Sequence, residues 1–117
     1  MGRIIHFEIT AETPEAVTRF YADAFGWRSQ ASPALPGYHL VDTGEGSGIS
    51  GAVMSREYRE QSAILWLEVD DIHASVAAVA TAGGLLDGEV SEIPGEGLVA
   101  YVTDPGGTLL GLKQPLA

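Results

Sequence analysis

His6 and Glu8 stand two residues apart in the run Ile4-Ile5-His6-Phe7-Glu8-Ile9-Thr10. On a strand that spacing puts both side chains on one face, where a His-x-Glu pair chelates a metal ion. The imidazole alone, titrating near neutrality, suits a general base. Glu68 closes the later run Ile64-Leu65-Trp66-Leu67-Glu68 and completes a second possible ligand set, His6, Glu8 and Glu68. Against that set, both glutamates fall at strand ends and are expected to be wet. Trp66 and Tyr101, with Tyr38 behind them, offer flat aromatic surface to an apolar or planar ligand. His39 and His73 are expected at the surface. The spacing of Ser, His and Asp makes no hydrolase triad, and no nucleotide fingerprint is present. Gly44-Glu45-Gly46-Ser47-Gly48 lacks the lysine and following helix of a phosphate cradle, so it reads as a loop between strands.

The chain that must position these groups has 117 residues, no cysteine and 45% hydrophobic residues. That length and composition predict one folded domain over 1–117. Without cysteine there are no disulfides, zinc–thiolate sites, iron–sulfur clusters or thiol nucleophiles. Sixteen acidic against six basic side chains leave a net charge of −10, which disfavours nucleic acid and anionic membranes. No apolar run approaches the roughly 18 residues of a membrane span, and the amino end carries no signal-type region. A soluble, cytoplasmic protein is expected.

Ile4 to Thr10 alternates with a strand period. Thr13-Pro14-Glu15 opens a helix, with Thr13 as cap and Pro14 at the first helical position. Val17, Phe20, Tyr21 and Phe25 form its apolar stripe, and Gly26 ends it. Tyr38–Val41 and Gly48–Met54 read as further strands. The order then repeats: Ile64–Val69 as strand, Asp70 or Asp71 capping a helix over Ile72, Val76, Val79 and Ala80, and Gly83-Gly84 as its stop. Leu98–Val102 and Thr108–Leu112 follow as strands, joined by the tight turn Asp104-Pro105-Gly106-Gly107. A shift of 58 residues (74 − 16) lays Ala16 on Ala74, Gly26 on Gly84, Gly37 on Gly95, and Leu40-Val41 on Leu98-Val99. Such a shared offset marks an internal duplication, with modules at about 1–57 and 62–117.

His6-Phe7-Glu8-Ile9, Arg19-Phe20-Tyr21-Ala22-Asp23-Ala24-Phe25-Gly26-Trp27 and Thr103-Asp104-Pro105-Gly106-Gly107 together resemble the vicinal oxygen chelate superfamily. This is the glyoxalase, bleomycin-resistance and extradiol-dioxygenase group. The resemblance implies an α+β fold of two βαβββ modules in tandem, an open cup-shaped sheet, and a homodimer. It also implies one divalent metal in the cup, held by a ligand on the first and last strand of each module. His6 stands at the first of those positions. Its partner under the 58-residue shift is Ile64, and the last-strand positions are Gly111 and, by the same shift, Val53. Only His6 brings a metal-binding side chain, whereas a divalent metal normally takes three or more protein ligands. The expectation is therefore no metal cofactor, unless His6, Glu8 and Glu68 hold one.

His6, Val53, Ile64, Trp66, Tyr101 and Gly111 are the expected pocket lining. The function expected from the resemblance is small-molecule binding at a degenerate metal site, in the manner of bleomycin-resistance proteins. The alternative is an enzyme of the same superfamily, a lyase, isomerase or dioxygenase, that uses His6 with a displaced metal or as a general base.

Overall fold

The computed structural model describes residues 2–117. In chain order the elements are β1 (Arg3–Ala11), α1 (Pro14–Phe25), β2 (Arg28–Ala31), β3 (Tyr38–Asp42), β4 (Gly51–Ser55), β5 (Ala63–Glu68), α2 (Ile72–Thr81), β6 (Leu85–Ile93), β7 (Gly97–Thr103) and β8 (Leu109–Pro115). This is an α+β fold of two βαβββ repeats. The chain divides into two compact units, one of His6–Ile64 and one of Leu65–Ala117 with the described residues up to Ile5. The division therefore cuts β1, whose beginning is tied to the second unit by a backbone bond from Gly2 N–H to Glu68 O at 3.0 Å.

In the first unit the strand order is β2-β3-β4-β1. β1 and β4 run parallel, with Glu8 opposite Ala52, and the other pairs are antiparallel. Parallel neighbours need a crossover, and α1 supplies it. Thr13 stands at the N-cap, but its hydroxyl makes no capping bond; its carbonyl accepts from Ala16 and Val17 instead. Gly26 takes the left-handed conformation, φ 74°, that closes the helix. Ala11, Val41 and Val53 form the buried core under α1, with Phe7, Ile9, Val17, Tyr21 and Trp27 packed on it. Of the expected apolar stripe only Val17 and Tyr21, four residues apart, join this core. Phe20 and Phe25 are exposed and pack edge-on to each other.

The second unit repeats the plan with the order β5-β8-β7-β6. β5 and β8 are parallel, and β8, β7 and β6 pair antiparallel. Its core is Val69, Ile72, Ala100, Val102 and Leu112, with Leu67, Val76, Val79, Val90, Leu98 and Leu110 against it. Asp71, not Asp70, caps α2, its carboxyl accepting from Ala74 N–H at 3.1 Å. The next donor, Ile72 N–H, goes to Gln114 Oε1 on β8 at 2.8 Å. Ile72 is fully buried, so no water replaces that acceptor. Gln114→Ala is expected to lower stability by about 1 kcal/mol, read as a shifted urea midpoint at unchanged slope.

β2 and β6 carry no strand signal in the sequence analysis. Both are outer strands of their units, and β2 is exposed throughout. With neither face of β2 packed, no alternation of apolar and polar residues is required of it, and β6 sets only Val90 against the core, too little to mark a period.

Candidate functional site

On β1, Phe7, Ile9 and Ala11 point into the core under α1, so alternation turns His6, Glu8 and Thr10 to the opposite face. Val41 and Val53 fix the parity of β3 and β4 in the same way. Tyr38 and Leu40, and Ala52 and Met54, therefore share the face of His6. There Tyr38 Oη donates to Glu8 Oε2 at 2.8 Å, and His6 Nε2 lies 3.3 Å from the same hydroxyl. With the phenolic proton donated to Glu8, the hydroxyl is placed to accept from His6 in the tautomer that carries its proton on Nε2. The outcome is a hydrogen-bonded chain, His6 to Tyr38 to Glu8, across three side chains and two strands.

Glu8 is 3% exposed, so the wet strand end expected for it is corrected. Its buried carboxyl accepts from Tyr38, which lies 30 residues away in sequence. Glu68 is exposed, as expected. His39 is also corrected: it faces α1, 14% exposed, with Nε2 3.6 Å from Glu15 Oε2. His73 is at the surface.

In the second unit, Trp66 on β5, Gly111 on β8 and Tyr101 on β7 stand side by side in register. Leu67, Ala100 and Leu112 point to the helix side, so these three occupy the other face. The Trp66 indole lies over Gly111. A Cβ at 111 would fall less than 3.0 Å from three of its ring atoms, so only glycine leaves room for it. Tyr101 meets Trp66 edge to face, centroids 5.0 Å apart at 64°. Trp66 is 8% exposed and Tyr101 half-buried.

One other pocket candidate does not join these groups: Val53 is fully buried under α1, on the helix side of its sheet. Ile64 is fully buried and, two residues before Trp66 on β5, lies on the same face as the indole. The strand registers also revise the repeat: Glu8 pairs with Ala52 as Trp66 pairs with Gly111. The last strands are therefore offset by 59 (111 − 52), and Ala52, not Val53, is the structural counterpart of Gly111.

The residues present do not fit the divalent metal of the superfamily. The four strand positions hold His6, Ala52, Ile64 and Gly111, the last covered by an indole, and His6 Nε2 is turned to Tyr38. Among the described residues, no group of three His, Cys, Asp or Glu side chains is placed to hold a metal ion. A surface depression of about 570 Å³ over β2 and β3, lined by Arg28, Gln30, Leu40, Asp42 and their neighbours, contains none of the expected site residues.

Two repeats of βαβββ, each with a helix on one sheet face and the candidate side chains on the other, define the class to which this chain is to be compared. A family model described as a glyoxalase-like domain matches residues 6–112. The chain belongs to the glyoxalase-like family, within the vicinal oxygen chelate superfamily. A glyoxylase-like domain-containing protein of Didymella fabae is 33% identical over 89 residues, 71% of this chain and 70% of that protein. Ribosomal RNA small subunit methyltransferase C of Pseudomonas putida is 39% identical over 70 residues, 60% of this chain. The match spans only 20% of the methyltransferase's length.

Among solved structures, methylmalonyl-CoA epimerase from Mycobacterium tuberculosis superposes with a TM-score of 0.69 at 18% identity, covering 99% of this chain and 89% of that one. A glyoxalase/bleomycin resistance protein/dioxygenase superfamily member from Vibrio splendidus 12B01 gives 0.71 at 16%, covering 99% and 100%. These likenesses establish the fold. No helix among the described residues is long and apolar enough to cross a membrane.

Proposed function

We propose that this glyoxalase-like protein binds a small organic molecule without a resident metal, using the aromatic surface of Trp66 and Tyr101. The observation that carries this reading is the indole seated on Gly111, at the place where the superfamily's last-strand ligand would project. An aromatic ring in place of an oxygen donor exchanges coordination for stacking and apolar contact. The lack of donors at Ala52 and Ile64 points the same way. The homodimer and cytoplasmic location expected from the sequence belong to this reading. Exposed Leu85 and Leu86 on the outer strand β6 support self-association.

The test uses Trp27→Phe, which leaves Trp66 as the one tryptophan emitter. Saturable quenching of Trp66 by small aromatic compounds, in protein that elemental analysis finds free of stoichiometric metal, is the expected result. Stoichiometric Ni, Zn, Fe or Mn that disappears in His6→Ala would overturn it.

The His6–Tyr38–Glu8 chain favours a second reading, an enzyme of the superfamily in which His6 handles a proton. A proton gained by the imidazole leaves Nε2–H pointing at the phenol, whose own proton is directed at a buried carboxyl. Charge at His6 is thereby stabilised through two hydrogen bonds. A turnover that survives chelators but is lost in His6→Ala and reduced in Tyr38→Phe would select this reading over passive binding.

A further inference from the structure

We infer that the Trp66 indole N–H is the polar anchor of the bound molecule, and that this molecule is a flat apolar compound carrying a neutral carbonyl oxygen. The inference rests on the binding reading above and adds the ligand's chemical class to it. Trp66 is more than nine-tenths buried, and among the described residues its buried Nε1 finds no hydrogen-bond partner. Buried polar groups are paired in the large majority of cases, so each exception requires a physical reason, and a bound acceptor supplies one here. The indole nitrogen donates only, so that partner must be an acceptor.

The ring has little freedom to seek a partner by turning. Gly111 lies beneath it, and Tyr101 stands edge-on beside it. The donor direction is thus set before binding, which lowers the ordering cost of the bond. The chain's net charge of −10 works against a carboxylate or phosphate as acceptor, which leaves a ketone, ester or amide oxygen. The half-buried Tyr101 ring offers the adjoining apolar contact for a planar body. Because Nε1 is covered, the ligand enters by displacing neighbouring side chains, and a tight hydrogen bond inside offsets that displacement.

The experiment compares 1-indanone with indane, and 9-fluorenone with fluorene, on the Trp27→Phe protein and on the double variant Trp27→Phe/Trp66→Phe. Expected is about a tenfold or greater preference for each ketone with Trp66 present, close to 1.4 kcal/mol. That preference should vanish in the double variant while both compounds still bind. In ¹⁵N spectra of the Trp66-containing protein, the indole N–H resonance should move downfield with 1-indanone and not with indane, a readout that needs no second variant.

Equal binding of ketone and hydrocarbon, or a preference that persists in the double variant, would overturn the anchor and leave the binding surface standing. An indole resonance already at a hydrogen-bonded position and unmoved by ketone would assign the donor to trapped water and overturn it likewise. Absence of saturable binding by all four compounds would overturn the binding reading itself, and the anchor with it.

Discussion

Gly111→Ala is expected to lower stability by about 1–3 kcal/mol, the usual cost of forcing a carbon into a packed site. Gly111 does not adopt positive φ, so its backbone accepts alanine, and strand propensity would even favour the change. The whole loss is therefore steric: the new Cβ meets Trp66 Cδ2, Cε2 and Cε3. In a Trp66→Leu background the same substitution should cost less than about 0.5 kcal/mol, because the atoms it strikes are gone. Urea unfolding of the four proteins gives the coupling directly, and additive losses would show that the indole does not rest on residue 111. Gly111→Glu, the change that would restore a carboxylate at this strand position, is expected to destabilise at least as much and to bind no metal while Trp66 remains.

Tyr38→Phe is expected to cost about 1.5–3 kcal/mol, the range for a hydrogen bond to an ionisable partner in a buried setting. The phenyl ring keeps the shape but removes the donor to Glu8 and the acceptor facing His6. Glu8, 3% exposed, has little access to replacement water. Adding Glu8→Leu should recover part of the loss, since it removes the buried carboxyl that has lost the phenolic donor. Denaturant midpoints of the single and double variants check this. A Tyr38→Phe protein within about 0.5 kcal/mol of the parent would mean that the three-residue chain contributes nothing to the fold.

Much of the architecture was legible because it follows from short-range rules. Alternation from Ile4 to Thr10 set which β1 side chains share a face, and the structure places His6 and Glu8 together on it. Gly26 and the pair Asp70-Asp71 marked helix ends through φ preference and capping chemistry that act within a few residues, and the structure selects Asp71. The turn at Asp104 lies where Asp, Pro and Gly favour it, with the Asp104 carboxyl accepting from Gly106 N–H at 2.8 Å and Thr108 N–H at 3.0 Å. The duplication was readable as a common offset from β1 to β5 and from the cap of α1 to that of α2, whereas β3 and β7 are offset by 61 (101 − 40) and not by 58.

Three features escaped that reading. The last strands are one residue out of the common shift, because register is decided by strand pairing and a single inserted residue reverses which side chains face the core. This is why Val53 lies under α1 and Ala52 takes the place opposite Glu8. The outer strands β2 and β6 went unseen because β2 packs no side chain and β6 only Val90 against the core. Glu8 looked like a solvated residue because acidity is visible in a sequence and enclosure is not.

The amino-acid sequence by itself determined the family, the paired βαβββ plan and the poverty of metal donors at the strand positions, all of which depend on residue identity and local spacing. Only the tertiary structure decided what fills those positions: a phenol from β3 joining His6 to a buried carboxyl, and an indole from β5 occupying the space above Gly111. Both are contacts between strands distant along the chain, set by register and side-chain volume, and neither quantity is written in any one stretch of residues.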